Sequence, residues 1–131
     1  MAKKILLIDD NENVRATLRD IFKNEGYAVI AAARGEEAMD VIDKEKPDLI
    51  LLDTVMDTAI HGSMDGFEVC RQIKKVKELP VRVIIYTGTL EKIDAVKARR
   101  AGADDYIIKG EDPGVLVAAV KKLLGDLKDE K

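Results

Sequence analysis

Short runs that are apolar almost throughout recur along the chain, and between them apolar residues fall at helical spacing. The runs are 5–8, 28–31, 49–52, 81–85 and 106–108. A strand covered on one face alternates apolar and polar residues, whereas a strand covered on both faces, as in a parallel sheet, reads as a continuous apolar run. The pattern therefore predicts five buried strands with helices between them. Val14, Leu18, Ile21 and Phe22 share one helical face, with Asn11 placed to cap the start and Gly26 to stop the end. Ala38, Val41 and Ile42 form a shorter stripe before Pro47, and Val69, Cys70, Ile73 and Val76 a third before Pro80. Leu90, Ile93 and Val96 form a weaker fourth, closed by Gly102. The last helix is the clearest. Asp112 and Pro113 suit its cap and first position, and Leu116, Ala119, Val120, Leu123, Leu124 and Leu127 line one side. Strands alternating with helices through right-handed crossovers make an α/β fold, a doubly wound parallel sheet between two layers of helices.

Composition narrows the class. A chain of 131 residues, 47% of them hydrophobic, has the size and apolar content of one domain with one packed sheet. The expectation is a single domain over 1–131, with its core at about 3–127 and no output domain. The net charge of −3 offers no basic field to a phosphate backbone, so nucleic acid is not an expected direct ligand. One cysteine cannot make an internal disulfide. No apolar stretch approaches the length of a membrane span or of a signal peptide's core, which leads to an expected cytoplasmic location.

In doubly wound folds, ligands sit at the carboxyl ends of the strands. The first run is followed by Asp9 and Asp10, the third by Asp53, the fourth by Thr87 and Gly88, and the fifth by Lys109. Each has an ordinary explanation alone: an aspartate caps a helix, a lysine faces water, a threonine fills a strand. Their convergence on one edge of the sheet is what carries meaning. Crowded carboxylates repel, and a bound cation relieves them. An oxygen-only donor set suits Mg²⁺, with Mn²⁺ as an alternative. Asp53, beside a metal and a lysine, is then placed to attack phosphorus, while Lys109, the Thr87 hydroxyl and the Gly88 N–H receive the phosphoryl oxygens. Cys70, on an apolar helical stripe, reads as core packing.

Asp-Asp, Asp, Thr and Lys in this order at the strand ends resemble the receiver domain of two-component response regulators, over about residues 3–127. The resemblance implies a flavodoxin-like three-layer sandwich with five helices and strand order 2-1-3-4-5. It implies that Asp53 is phosphorylated from a sensor histidine kinase or a histidine phosphotransfer protein. Asp10 and Asp53 would be side-chain metal ligands, with Asp9 acting through water and Val55 through its backbone carbonyl. Thr87, Gly88 and Lys109 would hold the phosphoryl group. Thr87 and Tyr106 would form the switch that changes the surface of the fourth helix, fifth strand and fifth helix for an unidentified downstream protein. A monomer or a weak dimer through that surface is expected, with Lys97, Arg99, Arg100 and Asp104 available to pair across it. The alternative is a pseudo-receiver, a protein-binding module that never turns over phosphate. A haloacid-dehalogenase-type phosphatase would carry Asp-x-Asp after the first strand, and this chain does not.

Three departures stand out. Met56 fits the family pattern after the acceptor, but Asp57 replaces a proline and Met64-Asp65-Gly66 arrives about five residues late. Asp57 in this insertion reads as a solvated residue or as a fourth carboxylate that tightens a cation, and His61 as a surface loop histidine or a pH-sensitive or ligand group. Lys109 precedes Gly110, where the family tends to have a proline joined by a cis bond. Because cis costs about 2.5–4 kcal/mol before other residues, a trans or rearranged junction is expected. Finally, Val55 and Thr89, each two beyond a site residue, are expected to tune hydrolysis of the aspartyl phosphate. Val55 offers no polar group to orient that water, so self-dephosphorylation should be slow to moderate. Replacing Val55 with Asn or Glu should change the rate of phosphate loss; an unaltered rate would dismiss this role.

Overall fold

Five parallel strands form a single sheet in the order β2-β1-β3-β4-β5, as the resemblance implies. The strands are β1 (Lys4–Ile8), β2 (Ala28–Ala32), β3 (Leu49–Leu52), β4 (Arg82–Thr87) and β5 (Asp105–Ile108). Helices α1 (Glu12–Asn24), α2 (Gly35–Glu45), α3 (Gly66–Arg71), α4 (Lys92–Ala101) and α5 (Pro113–Leu124) alternate with them. The computed structural model describes residues 3–53, 66–87, 92–109 and 112–125. No helix among the described residues is long and apolar enough to cross a membrane.

The unbroken apolar runs follow from two cores. Leu6, Ile8, Ile50, Leu52, Val83 and Ile85 pack on one face with Ala38, Ile42, Cys70 and Ile73. Ile5, Leu7, Leu49, Leu51 and Ile84 pack on the other with Phe22, Leu116 and Val120. Each such side chain contributes about 1.5–3 kcal/mol through burial, which fixes strand register, since a slip by one residue would exchange the faces. Helix ends follow local chemistry. The Asn11 side chain accepts from the Val14 N–H at 3.1 Å, Gly26 leaves α1 at φ 97°, and the Asp112 side chain accepts from the Gly114 N–H at 2.8 Å. α2 ends at Lys46, which is left-handed (φ 47°) because the following Pro47 disfavours the helical conformation there.

Two apolar positions differ from the sequence expectation. The third helix continues beyond Arg71 at π pitch over Gln72–Val76, with the Lys77 N–H donating to the Gln72 carbonyl at 2.9 Å. Wider winding turns each residue through a smaller angle. Ile73 stays buried, but Val76 rotates out and is 54% exposed. On α4 the small residues Ala98 and Ala101 are buried and Val96 faces outward, so close approach rather than bulk seats this helix. Leu90 and Leu127 lie outside the described residues.

At the strands' amino ends, Lys74 Nζ donates to Asp104 Oδ2 at 3.0 Å and to the Val81 carbonyl at 2.9 Å. The same Asp104 oxygen accepts from the Val83 N–H at 2.8 Å. Asp104, considered above for pairing between molecules, is thus engaged within the chain.

Cys70 is fully buried, and burial pushes its thiol pKa from 9.0 up to about 12. The folded protein keeps the proton while the unfolded chain releases it. This contribution to stability is therefore complete below pH 9 and is lost as pH rises toward 12. In urea titrations, the stability of the protein relative to Cys70→Ala should fall across that window. A thiol reagent at mildly alkaline pH should label Cys70 only at the rate of unfolding; fast labelling of the native state would contradict its burial.

Candidate functional site

Register brings the carboxylates together. Ile8 pairs with Leu52, so the residues that follow them, Asp9 and Asp53, leave neighbouring strands at the same level. The Asp53 N–H donates to the Ile8 carbonyl at 2.9 Å, and the Asp9 N–H to the Ala32 carbonyl at 3.1 Å. Both ladders are thereby extended to the site. Thr87 pairs with Ile108, and the Lys109 N–H donates to the Thr87 carbonyl, which sets Lys109 one step past the end of β5.

Asp9 and Asp53 are each 4% exposed, Asp10 lies at the surface, and an oxygen from each of the three falls within 4.8 Å of the others. Lys109 Nζ stands 2.8 Å from Asp9 Oδ2 and 3.1 Å from Asp53 Oδ2. Burial alone would lower the Lys109 pKa. The hydrogen bond to Asp9 and the charges of Asp53 and Asp9 more than offset that and raise it above the usual lysine value. Lys109 is therefore a fixed cation between two anions.

Asp9 is held from every side. Its Oδ1 accepts from the Asn11 N–H at 2.8 Å, and its carbonyl accepts from Arg15 Nη1 at 2.7 Å. One short turn thus orients the carboxylate and starts α1. Arg15 carried no sequence signal beyond its place in the helix. Tyr86 is the other participant that sequence reasoning missed: Lys109 Nζ lies 5.8 Å from its ring centroid. Burial, the largest influence, pushes the Tyr86 hydroxyl pKa up; Lys109 opposes this and Asp9 adds to it. The available signal was an aromatic residue next to Thr87 at a strand end, which reads equally well as apolar filling.

Of the expected site residues, Asp9, Asp10, Asp53 and Lys109 form one cluster. Thr87 is fully buried at the end of β4, and Tyr106 is half-buried against the core formed with α4. Val55, Asp57, His61, Gly88, Thr89 and Gly110 lie outside the described residues, and with Gly110 the Lys109–Gly110 junction.

Counted as ionised, three carboxylates against one ammonium leave two negative charges, which one dication would balance. The donors are all oxygen and one faces water, a set that fits a small hard cation retaining part of its hydration.

Residues 5–121 match the family described as the response regulator receiver domain. The chain is 40% identical over 124 residues to the alkaline phosphatase synthesis transcriptional regulatory protein PhoP of Bacillus subtilis, covering 95% of this chain and 49% of that protein. It is 36% identical over 120 residues to the transcriptional regulatory protein AfsQ1 of Streptomyces coelicolor, covering 92% and 50%. The chain thus spans about half the length of these curated relatives. A CheY-like response regulator receiver domain protein from Methanospirillum hungatei superposes with a TM-score of 0.84 at 30% identity, over 99% of this chain and 100% of that one.

Replacing Lys109 with Met removes one cation from two buried anions and should lower unfolding stability by about 1–3 kcal/mol in urea titrations. The added loss should be smaller in an Asp53→Asn background, where one of the anions is already gone. Equal losses in both backgrounds would show that the ammonium is not what holds the carboxylates together.

Proposed function

The chain belongs to the response regulator receiver family, and from that membership we propose that it is a phosphoacceptor signalling switch in which Asp53 takes up a phosphoryl group. The single observation that supports this reading most is the gathering of Asp9, Asp10 and Asp53 around the Lys109 ammonium at the carboxyl edge of the sheet. The donor is a phosphohistidine of a sensor kinase or a histidine phosphotransfer protein.

Asp10 and Asp53 would hold Mg²⁺ directly, Asp9 through water and Val55 through its carbonyl, with Mn²⁺ able to substitute. The ion supplies charge neutralisation at the transferring phosphoryl oxygens. The chain's own residues do the rest. A carboxylate oxygen of Asp53 attacks phosphorus; the bond from phosphorus to the donor nitrogen breaks, its electron pair stays with that nitrogen, and the nitrogen takes up a proton. Lys109 shifts its attraction toward a phosphoryl oxygen, and the Thr87 hydroxyl and Gly88 N–H donate to others.

The product carries about two negative charges where a carboxylate carried one. Thr87, drawn toward them, leaves space on the face where Tyr106 packs. An inward turn of Tyr106 then favours one of two arrangements of the α4-β5-α5 surface. That surface is read by a downstream protein, without direct contact to nucleic acid or a membrane. The receiver domain is a monomer or a weak dimer, acting in the cytoplasm as a signal carrier and catalysing its own phosphorylation and slow dephosphorylation.

Acetyl phosphate with Mg²⁺ tests the reading. One acid-stable, base-labile phosphoryl group should appear on Asp53 by mass spectrometry, and be absent with a chelator or in Asp53→Asn. No adduct in the native chain would make it a pseudo-receiver; many turnovers per molecule would make it a phosphatase.

A further inference from the structure

The residue before Thr87 is aromatic and packs on the opposite face of the sheet from the switch tyrosine. Tyr86 pairs with Ile107 and packs, half-buried, against the core formed with α1 and α5, whereas Tyr106 packs against the core formed with α4. From its side, the Tyr86 ring meets the Lys109 ammonium, with Nζ 5.8 Å from the centroid. We propose that Tyr86 is the positioning residue for Lys109: its ring adds a wall to the ammonium's seat beside the Asp9 and Asp53 oxygens. It keeps the cation aimed at the site while the Asp53 carboxylate is being consumed. This deepens the phosphoacceptor reading and rests on it.

The need for such a wall follows from what else holds Lys109. One of its two carboxylate partners is the proposed acceptor, and as Asp53 is esterified the negative charge passes from that carboxylate to the phosphoryl oxygens, so the Lys109 contact must shift with it. During that shift Asp9 is the carboxylate partner that stays in place, and it holds a long flexible stem whose rotamer freedom is large. The next residue, Gly110, brings no side chain and no ring to stiffen the junction. The face of an aromatic ring attracts a cation without depending on the state of Asp53.

Core filling is a poorer explanation for this tyrosine. The ring borders an open cleft of about 220 Å³ with Asn13, Val14, Thr17 and Leu18, so the space beside it is not closed by packing. Leucine would satisfy the apolar requirement of the strand. What leucine lacks is the ring face.

Two measurements on the full chain test the proposal. In NMR spectra of the native protein, the ε-methylene protons of Lys109 should be shifted upfield by the ring current, remain so in Tyr86→Phe, and return toward the coil value in Tyr86→Leu. With acetyl phosphate and Mg²⁺, Tyr86→Leu should take phosphate roughly three- to tenfold more slowly, and Tyr86→Phe within roughly twofold of the native rate, as expected for loss or retention of one cation–ring contact. An unshifted Lys109 in the native chain overturns the proposal without any variant having to fold. So does a slow Tyr86→Leu in which the Lys109 shift persists, a Tyr86→Leu at the native rate, or a Tyr86→Phe as slow as Tyr86→Leu. If the native chain accepts no phosphate, the phosphoacceptor reading fails, while the Lys109 shift still decides whether the ring seats the ammonium.

Discussion

Asp9 and Asp53 are carboxylates almost out of reach of water, set side by side at the end of a parallel sheet. Poorly screened like charges about 4 Å apart repel by about 4 kcal/mol at the effective dielectric of a protein. Lys109, within 3.1 Å of both, is the counterweight that permits the sheet to end in this way. The ammonium does not discharge the edge fully, since Asp10 remains at the rim. An edge that is stable with one cation and still negative is prepared for a second, divalent one.

This cluster is assembled from distant parts of the chain; Lys109 and Asp9 are 100 residues apart. Local preference cannot bring them together. The two hydrophobic cores do so, because their strict division of side chains between the faces fixes the register β1–β3 and β4–β5, and the register fixes which residue stands at each strand end. Stability and chemistry are thereby coupled in one direction: the apolar interior determines where the charges lie.

Much of this was legible along the chain. Continuous runs such as 49–52 announce a strand covered on both faces, and all four of its residues are buried. Asn11 and Asp112 act as the caps their residue types suggest. Asp9, Asp10, Asp53 and Lys109 were recognisable because strand ends are defined by where apolar runs stop. The strand order was not legible from periodicity, which says nothing about which strands are neighbours; it came from the resemblance. Val76 and Val96 were misread because an ideal helical period assumes regular winding and bulky contacts, whereas α3 continues at π pitch and α4 rests on alanines. Arg15 and Tyr86 escaped for a different reason. Their roles depend on contacts with residues far away in sequence, and neither residue type announces such a partner.

The ion pair between Lys74 and Asp104, with the Val83 N–H on the same oxygen, pins β4 and β5 where they begin. The Lys109 pairs with Asp9 and Asp53 hold the opposite edge. β4 and β5 are therefore fastened by charge at both ends and by the backbone ladder between them.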